Sequence, residues 1–247
     1  MDDNDISYFV QSILSRSSRQ CVNNTAKRDY FRGTVTSDEL IGNEQLKFNL
    51  RSDSKGNNNF LFCFVINTVS YDDVIYKNQV GHWLAIAIRF NKCHNILFLH
   101  FFDSFGKNYT DYKRVKSYIN WVKSKCDLHQ VKFTCDRLNK PIQEPFSKLC
   151  GLYACRAVAH VWEHSTNSSD LLKQSFSSIF GGNRKNNDLK MERYLYKEWP
   201  SKECHNRSFP WKILPIANLM KASRPPGFCP KDTLGLSDCR MSKCRCL

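Results

Sequence analysis

Four residues, His82, Asp103, Gln143 and Cys150, have the types that nucleophilic acyl transfer requires. Such chemistry needs a thiolate, a base, a group that orients the base, and a donor for the developing oxyanion. Cys150 opens the apolar stretch CGLYACRAVAHVWEH at residues 150–164, which reads as a packed helix. A cysteine at a helix start meets unpaired backbone N–H groups and the positive end of the helix dipole, and both favour thiolate over thiol. Gly151, directly after it, lets a second backbone or a substrate come close. Leu152, Ala154, Ala157, Val158, Val161 and Trp162 share a face at helical spacing and supply the packing surface. Cys155, one turn further on, reads as core rather than as a second nucleophile.

The elements that must position these groups follow from the pattern around them. Trp83 to Phe90 and Asn95 to Phe102 are strand candidates joined by the short turn 91–95, which makes an antiparallel hairpin. In a hairpin the start of the first strand lies beside the end of the second. His82 sits just before the first and Asp103 just after the second, so both fall at one end of a sheet. A carboxylate there fixes the imidazole tautomer and stabilises the imidazolium. Gln143 precedes Cys150 by seven residues in the loop 136–149, which must fold back over the helix start. There its amide and the Cys150 backbone N–H can both point at an oxyanion. Trp83, beside the histidine, is the expected wall that excludes water.

The remaining pattern is coarser. Residues 4–15 form an amphipathic helix with Ile6, Phe9, Val10, Ile13 and Leu14 inward, followed by a polar, loop-like stretch at 16–29. Tyr30 to Thr34 is an aromatic step into a turn, 51–59 is a surface loop, and Phe60 to Thr68 is a buried strand or the start of a helix. Residues 111–125 are helical, with Tyr112, Val115, Tyr118, Ile119 and Val122 on one side and Thr110 or Asp111 as cap. Residues 130–134 are a short strand, 181–190 a linker or turn, and 188–198 a last helix. The expected class is α+β: a mixed, mostly antiparallel sheet packed against helices, with the candidate nucleophile at the N-terminus of a buried one. Residues 1–200 are expected to be one domain, and 201–247 a basic, cysteine-rich, poorly ordered extension.

Composition narrows the function class. With 247 residues, 41% hydrophobic, the chain can bury one large core. No apolar run is long enough for a membrane span, and the start lacks a signal-peptide pattern. A nuclear or cytoplasmic protein that is not secreted is therefore expected, with no membrane partner. Twelve cysteines then point to thiols, metal ligands or catalysis rather than disulfides. The net charge of +14 favours a polyanionic partner, nucleic acid above all. Residues 181–247 hold 14 Lys+Arg against 6 Asp+Glu, so the tail is the most basic part. Its Cys229, Cys239, Cys244 and Cys246 lack paired CxxC knuckles and have no histidine among them, so no metal is expected.

Several of these segments resemble one family. Gly81-His82-Trp83-Leu84-Ala85, Phe102-Asp103-Ser104-Phe105-Gly106, Gln143, and Cys150-Gly151-Leu152-Tyr153-Ala154-Cys155 are similar to the adenovirus endopeptidase (adenain) family. That family has relatives in Maverick/Polinton elements and other large DNA viruses. The same order, His, acid, Gln, Cys, occurs in the related proteases that process SUMO and other ubiquitin-like modifiers. Tyr30-Phe31-Arg32-Gly33-Thr34, Val65-Ile66-Asn67-Thr68, Ile179-Phe180-Gly181-Gly182 and Met191 to Tyr196 resemble further adenain segments, so the likeness runs over residues 29–200.

The resemblance implies a ubiquitin-like-protease-type fold and a Cys-His-Asp triad with Gln143 in the oxyanion hole. It also implies a monomeric viral or virus-like endopeptidase that cleaves structural precursor proteins in the host nucleus and virion. Small residues such as Gly-Gly or Gly-Ala are expected near the cut. No cofactor enters the chemistry, and activation by DNA or a peptide is implied. Asp103 stands where adenovirus enzymes usually carry Glu, as it does in other relatives. The spacing of Cys126 and Cys135 to Gln143 does not match the family's cysteine that links an activating peptide. Two other functions are weighed against this one: a deconjugating protease for ubiquitin-like modifiers, and an inactive DNA-binding virion protein. The complete set of four residues argues against the last.

Overall fold

Five strands of the computed structural model, which describes residues 3–16, 30–48, 50, 60–73, 81–164 and 170–198, form one mixed sheet in the order β1-β2-β3-β4-β5. They are β1 (Phe31–Thr36), β2 (Phe60–Asn67), β3 (Trp83–Asn91), β4 (Ile96–Phe102) and β5 (Lys132–Arg137). The inner pairs β2-β3 and β3-β4 are antiparallel, and the outer pairs β1-β2 and β4-β5 are parallel. The expected hairpin is β3-β4, with Ala85 opposite Phe102, so the residues on either side of that pair leave the sheet together. The ambiguous segment is settled as β2, whose aromatic and β-branched residues suit a strand paired on both sides.

Strand periodicity divides the apolar residues between two faces. Phe62, Phe64, Ile66, Leu84, Ile86, Ile88, Leu97, Leu99 and Phe101 pack on helix α2 (Lys113–Leu128) through its Val115, Tyr118, Ile119, Val122 and Cys126. Cys63, Val65, Ala85, Ala87 and Phe102 face α1 (Asp3–Arg16), α3 (Cys150–His164) and α4 (Arg184–Glu198). Helices therefore cover both faces of the sheet. Each large apolar side chain fully buried this way contributes about 1.5–3 kcal/mol. Ala85 and Ala87 on β3 meet Ala154, Ala157 and Val158 on α3, and such small side chains let the helix axis approach the sheet closely. The five inward residues expected for α1 are all buried. No helix among the described residues is long and apolar enough to cross a membrane.

Four segments differ from the sequence expectation. Tyr30 to Thr34 enters a strand, β1, whose register with β2 shifts between Phe31 and Thr34. β5 starts two residues later than expected and extends to Arg137, because Gln130 (φ 55) closes the turn after α2. Asp136 within it is held at both oxygens by the backbone N–H groups of Leu172 and Lys173, in the π-helical turn Leu171–Phe176. α2 begins at Lys113 with no side-chain cap; the capping box of Asn108 and Asp111 closes the preceding 3₁₀ turn, Tyr109–Asp111, instead. Residues 184–190 belong to α4 rather than to a linker. Their asparagines look like loop, but the Asn183 side chain accepts from the Asn186 N–H. The buried Asn187 side chain donates to the Ile142 and Gly181 carbonyls. The extension 201–247, with its five cysteines, and the 51–59 loop lie outside the described residues.

Candidate active site

His82 is fixed first by its backbone. Its N–H donates to Thr68 Oγ1 at 2.8 Å, and its carbonyl accepts from Thr68 N–H at 2.9 Å, which ties it to the end of β2. Gly81 before it packs against Asn67 so closely that an added Cβ would sit 2.0 Å from Asn67 Oδ1. The imidazole stacks on Phe105, ring centroids 4.6 Å apart and 28° between planes, which sets the plane of the ring. Its Nε2 lies 2.7 Å from Asp103 Oδ1. That leaves Nδ1 as the nitrogen that meets the Cys150 thiol.

Asp103 is buried and densely held. Oδ1 also accepts from the Phe105 N–H at 2.8 Å, and Oδ2 accepts from Tyr112 O–H at 2.8 Å and the Lys107 N–H at 3.2 Å. Burial opposes its charge, but the His82 hydrogen bond and charge, the Phe105 N–H and the Tyr112 hydroxyl outweigh it, so its pKa is lowered. For His82, burial opposes the imidazolium. The hydrogen bonds to Asp103 and Cys150, and their charges, overcome it and raise the pKa from 6.5 to about 9.

Cys150 opens α3, half-buried at the edge of the core. Burial raises the pKa of its thiol; the His82 hydrogen bond and charge, and the backbone N–H groups of Trp83 and Gly151, reverse this and lower it. The other buried thiols show what burial does without such partners. Cys126 is pushed up to about 11 and the half-buried Cys135 up to about 12, and the fully buried Cys63 and Cys155 are also raised well above the ordinary value. Among these thiols Cys150 is the one shifted toward thiolate, beside a histidine shifted toward imidazolium. Cys63, Cys93, Cys126, Cys135, Cys150 and Cys155 are all unlinked thiols.

Gln143 is completely buried. Ser104 O–H donates to its Oε1 at 2.5 Å, and its Nε2 donates to the Ser147 carbonyl at 2.7 Å. The Ser147 carbonyl, which can only accept, fixes which end of the amide is the donor, and Ser104 holds the other end. The backbone N–H groups of Ile142 and Gln143 both donate to the Ser104 carbonyl, so the loop docks on the turn that carries Asp103. Gly106 permits this approach: it has φ +70, and a Cβ there would lie 2.5 Å from the Lys140 carbonyl carbon. From the other side, Tyr153 on α3 donates to Asp188 on α4 at 2.8 Å, and Asn187 holds the Ile142 carbonyl.

The four residues singled out by type and order therefore meet at one end of the sheet. Gly151 contributes its N–H to the sulfur. Trp83 is buried in the core, and its backbone N–H reaches the Cys150 sulfur. Three supporting residues, Ser104, Phe105 and Tyr112, carry no signal of their own in the sequence. The arrangement can generate a nucleophile, move a proton through His82 and offer a donor to an oxyanion.

No family model and no curated protein matches the chain. Among solved structures it is similar to the Legionella pneumophila effector protein RavZ_1-487, at 12% identity over 97% of this chain and 78% of that one, TM-score 0.42. It is also similar to ChlaDub1 from Chlamydia trachomatis, at 11% identity over 80% of this chain and 91% of that one, TM-score 0.44.

Proposed function

We propose that this chain is a cysteine endopeptidase. The observation that carries the reading is the half-buried His82 paired at 2.7 Å with the buried Asp103, its imidazole beside the Cys150 thiol at the start of α3. In this mechanism the Cys150 thiolate attacks a scissile peptide carbonyl. The backbone N–H of Cys150 and the second N–H of the Gln143 amide receive the oxyanion. His82, steadied by Asp103, protonates the leaving amine, and water then releases the acyl-enzyme. Phe146, 98% exposed on the loop between Gln143 and Cys150, offers substrate an apolar contact.

The adenain-like segments around these residues support a finer assignment: a viral or virus-like maturation protease acting on structural precursor proteins. In this reading no cofactor enters the chemistry, and DNA held by the basic surface and tail stimulates cleavage. The test is cleavage, with and without DNA, of a Gly-Gly-containing peptide beside SUMO and ubiquitin conjugates, read by mass spectrometry. Peptide cleavage that vanishes in Cys150→Ala supports the endopeptidase. Exclusive release of modifiers moves the assignment to a deconjugating protease, and activity that survives Cys150→Ala removes both.

A further inference from the structure

The end of α3 opposite Cys150 carries a second group of chemistry-bearing side chains. His160, Glu163 and His164 follow His-x-x-Glu-His spacing, which puts all three on one face of the last turn. One donor atom from each lies within 4.8 Å of the others. The two imidazoles are 4.3 Å apart at their centroids. His160 is 2% exposed. Its Nε2 lies 3.0 Å from Ser175 Oγ in the π-helical turn, and its Nδ1 is buried with no hydrogen-bond partner. Buried ring nitrogens without partners are rare in folded proteins and point to a missing ligand or water.

We propose that His160, Glu163 and His164 bind a divalent transition-metal ion, zinc foremost. Two imidazoles and one carboxylate form a borderline donor set that suits zinc and leaves a position for water. His160 has one ring nitrogen paired with an outer partner, Ser175, and the other without a partner, as a ligating histidine requires. His164 is exposed and gives an ion its way in. The helix ends at His164, where the negative end of the dipole favours a cation. Arg156 Nη1 lies 3.1 Å from Glu163 Oε2, so the ion shares this carboxylate with a guanidinium. Ten residues of helix put the site about 15 Å along the axis from Cys150. All three ligands lie on α3, with Ser175 of the 171–176 turn as an outer partner, and the site stands apart from the proposed reaction.

Cobalt(II) is the probe, added to the full, reduced chain, because it separates this site from the many thiols. Ligation by imidazole and carboxylate gives visible d–d bands without a thiolate-to-cobalt charge-transfer band. The expected result is saturable binding of that kind, displaced by zinc. It is weakened at least about tenfold in His164→Gln, whose exposed position spares the core, and in Ser175→Ala, which removes the outer partner. Binding that carries only the thiolate signature overturns the proposal. So does binding unchanged in His164→Gln, or no saturable binding at all; in those cases His160 Nδ1 is simply met by water.

Discussion

Asp103 holds His82 by Nε2, at 2.7 Å, and not by Nδ1. This choice of nitrogen determines the handedness of the site. The Nδ1 edge, nearer the main chain, is turned to Cys150, while the far edge is anchored in a carboxylate that three further donors hold in place. A buried carboxylate so fully satisfied keeps its charge, and that charge keeps the imidazolium.

Tyr112→Phe tests that anchoring. It removes one donor from the Asp103 carboxylate, and hydrogen bonds to charged groups are worth about 1.5–3 kcal/mol. The carboxylate becomes easier to protonate, so the charge that holds His82 is lost at a higher pH than in the wild type. Peptidase kcat/KM is expected to drop about tenfold. The acid limb of the pH–rate profile is expected to move to higher pH. A profile that keeps its shape while only stability falls would reduce Tyr112 to a packing residue.

Gln143→Ala is expected to cost about 10²–10³ in kcat with little change in KM, as loss of one oxyanion donor does. Ser104→Ala separates presence from orientation. It leaves the amide in place, with Nε2 still on the Ser147 carbonyl, but frees its Oε1, which loosens the aim of the second N–H. A smaller loss in kcat, again without a KM change, is expected from single-turnover kinetics. Equal loss in both variants would mean that Ser104 is needed for the loop to fold, which circular dichroism and urea midpoints report.

The hairpin and the four chemical groups were legible because each rests on local information: a short turn between two apolar runs, and a cysteine opening an apolar helix. What was not legible depends on contacts distant in sequence. The parallel pairings of β1 with β2 and β4 with β5 follow from where the crossovers run, which alternation of apolar residues does not encode. Phe105 and Tyr112 read as part of a turn and as a helix residue, and acquire their roles only when the Asp103 turn packs. The asparagines at 183, 186 and 187 look like a linker until Asn187 is buried against the Gln143 loop.

Stability should respond to pH through the same groups. His82 has its folded pKa raised to about 9. Its contribution is complete below the ordinary histidine value of about 6.5 and is lost as pH rises through about 9. Asp103 has its folded pKa lowered, so its contribution is present above the ordinary value of about 3.9 and is lost as pH falls through the folded value. Urea midpoints of the wild type should decline on both flanks. His82→Gln should abolish the alkaline decline specifically.

Gly106→Ala addresses how the oxyanion loop reaches the Asp103 turn. The substitution meets both a positive φ and the Lys140–Pro141 backbone, which cannot retreat like a flexible side chain. A loss of about 1–3 kcal/mol is expected in urea unfolding from the backbone strain alone. Cleavage should suffer beyond that, because Gln143 moves with the loop. Wild-type kcat in the folded variant would show that the loop tolerates the displacement.

The central claim is that His82 makes Cys150 a thiolate although burial opposes it. Its most direct measurement is the alkylation rate of each cysteine against pH, resolved by mass spectrometry, in the wild type and in His82→Gln. Cys150 is expected to react at lower pH than Cys126, Cys135 and Cys155, whose thiols burial pushes up, and to lose that advantage in His82→Gln. A Cys150 that titrates with the buried Cys155, or behaves alike in both proteins, would contradict the account.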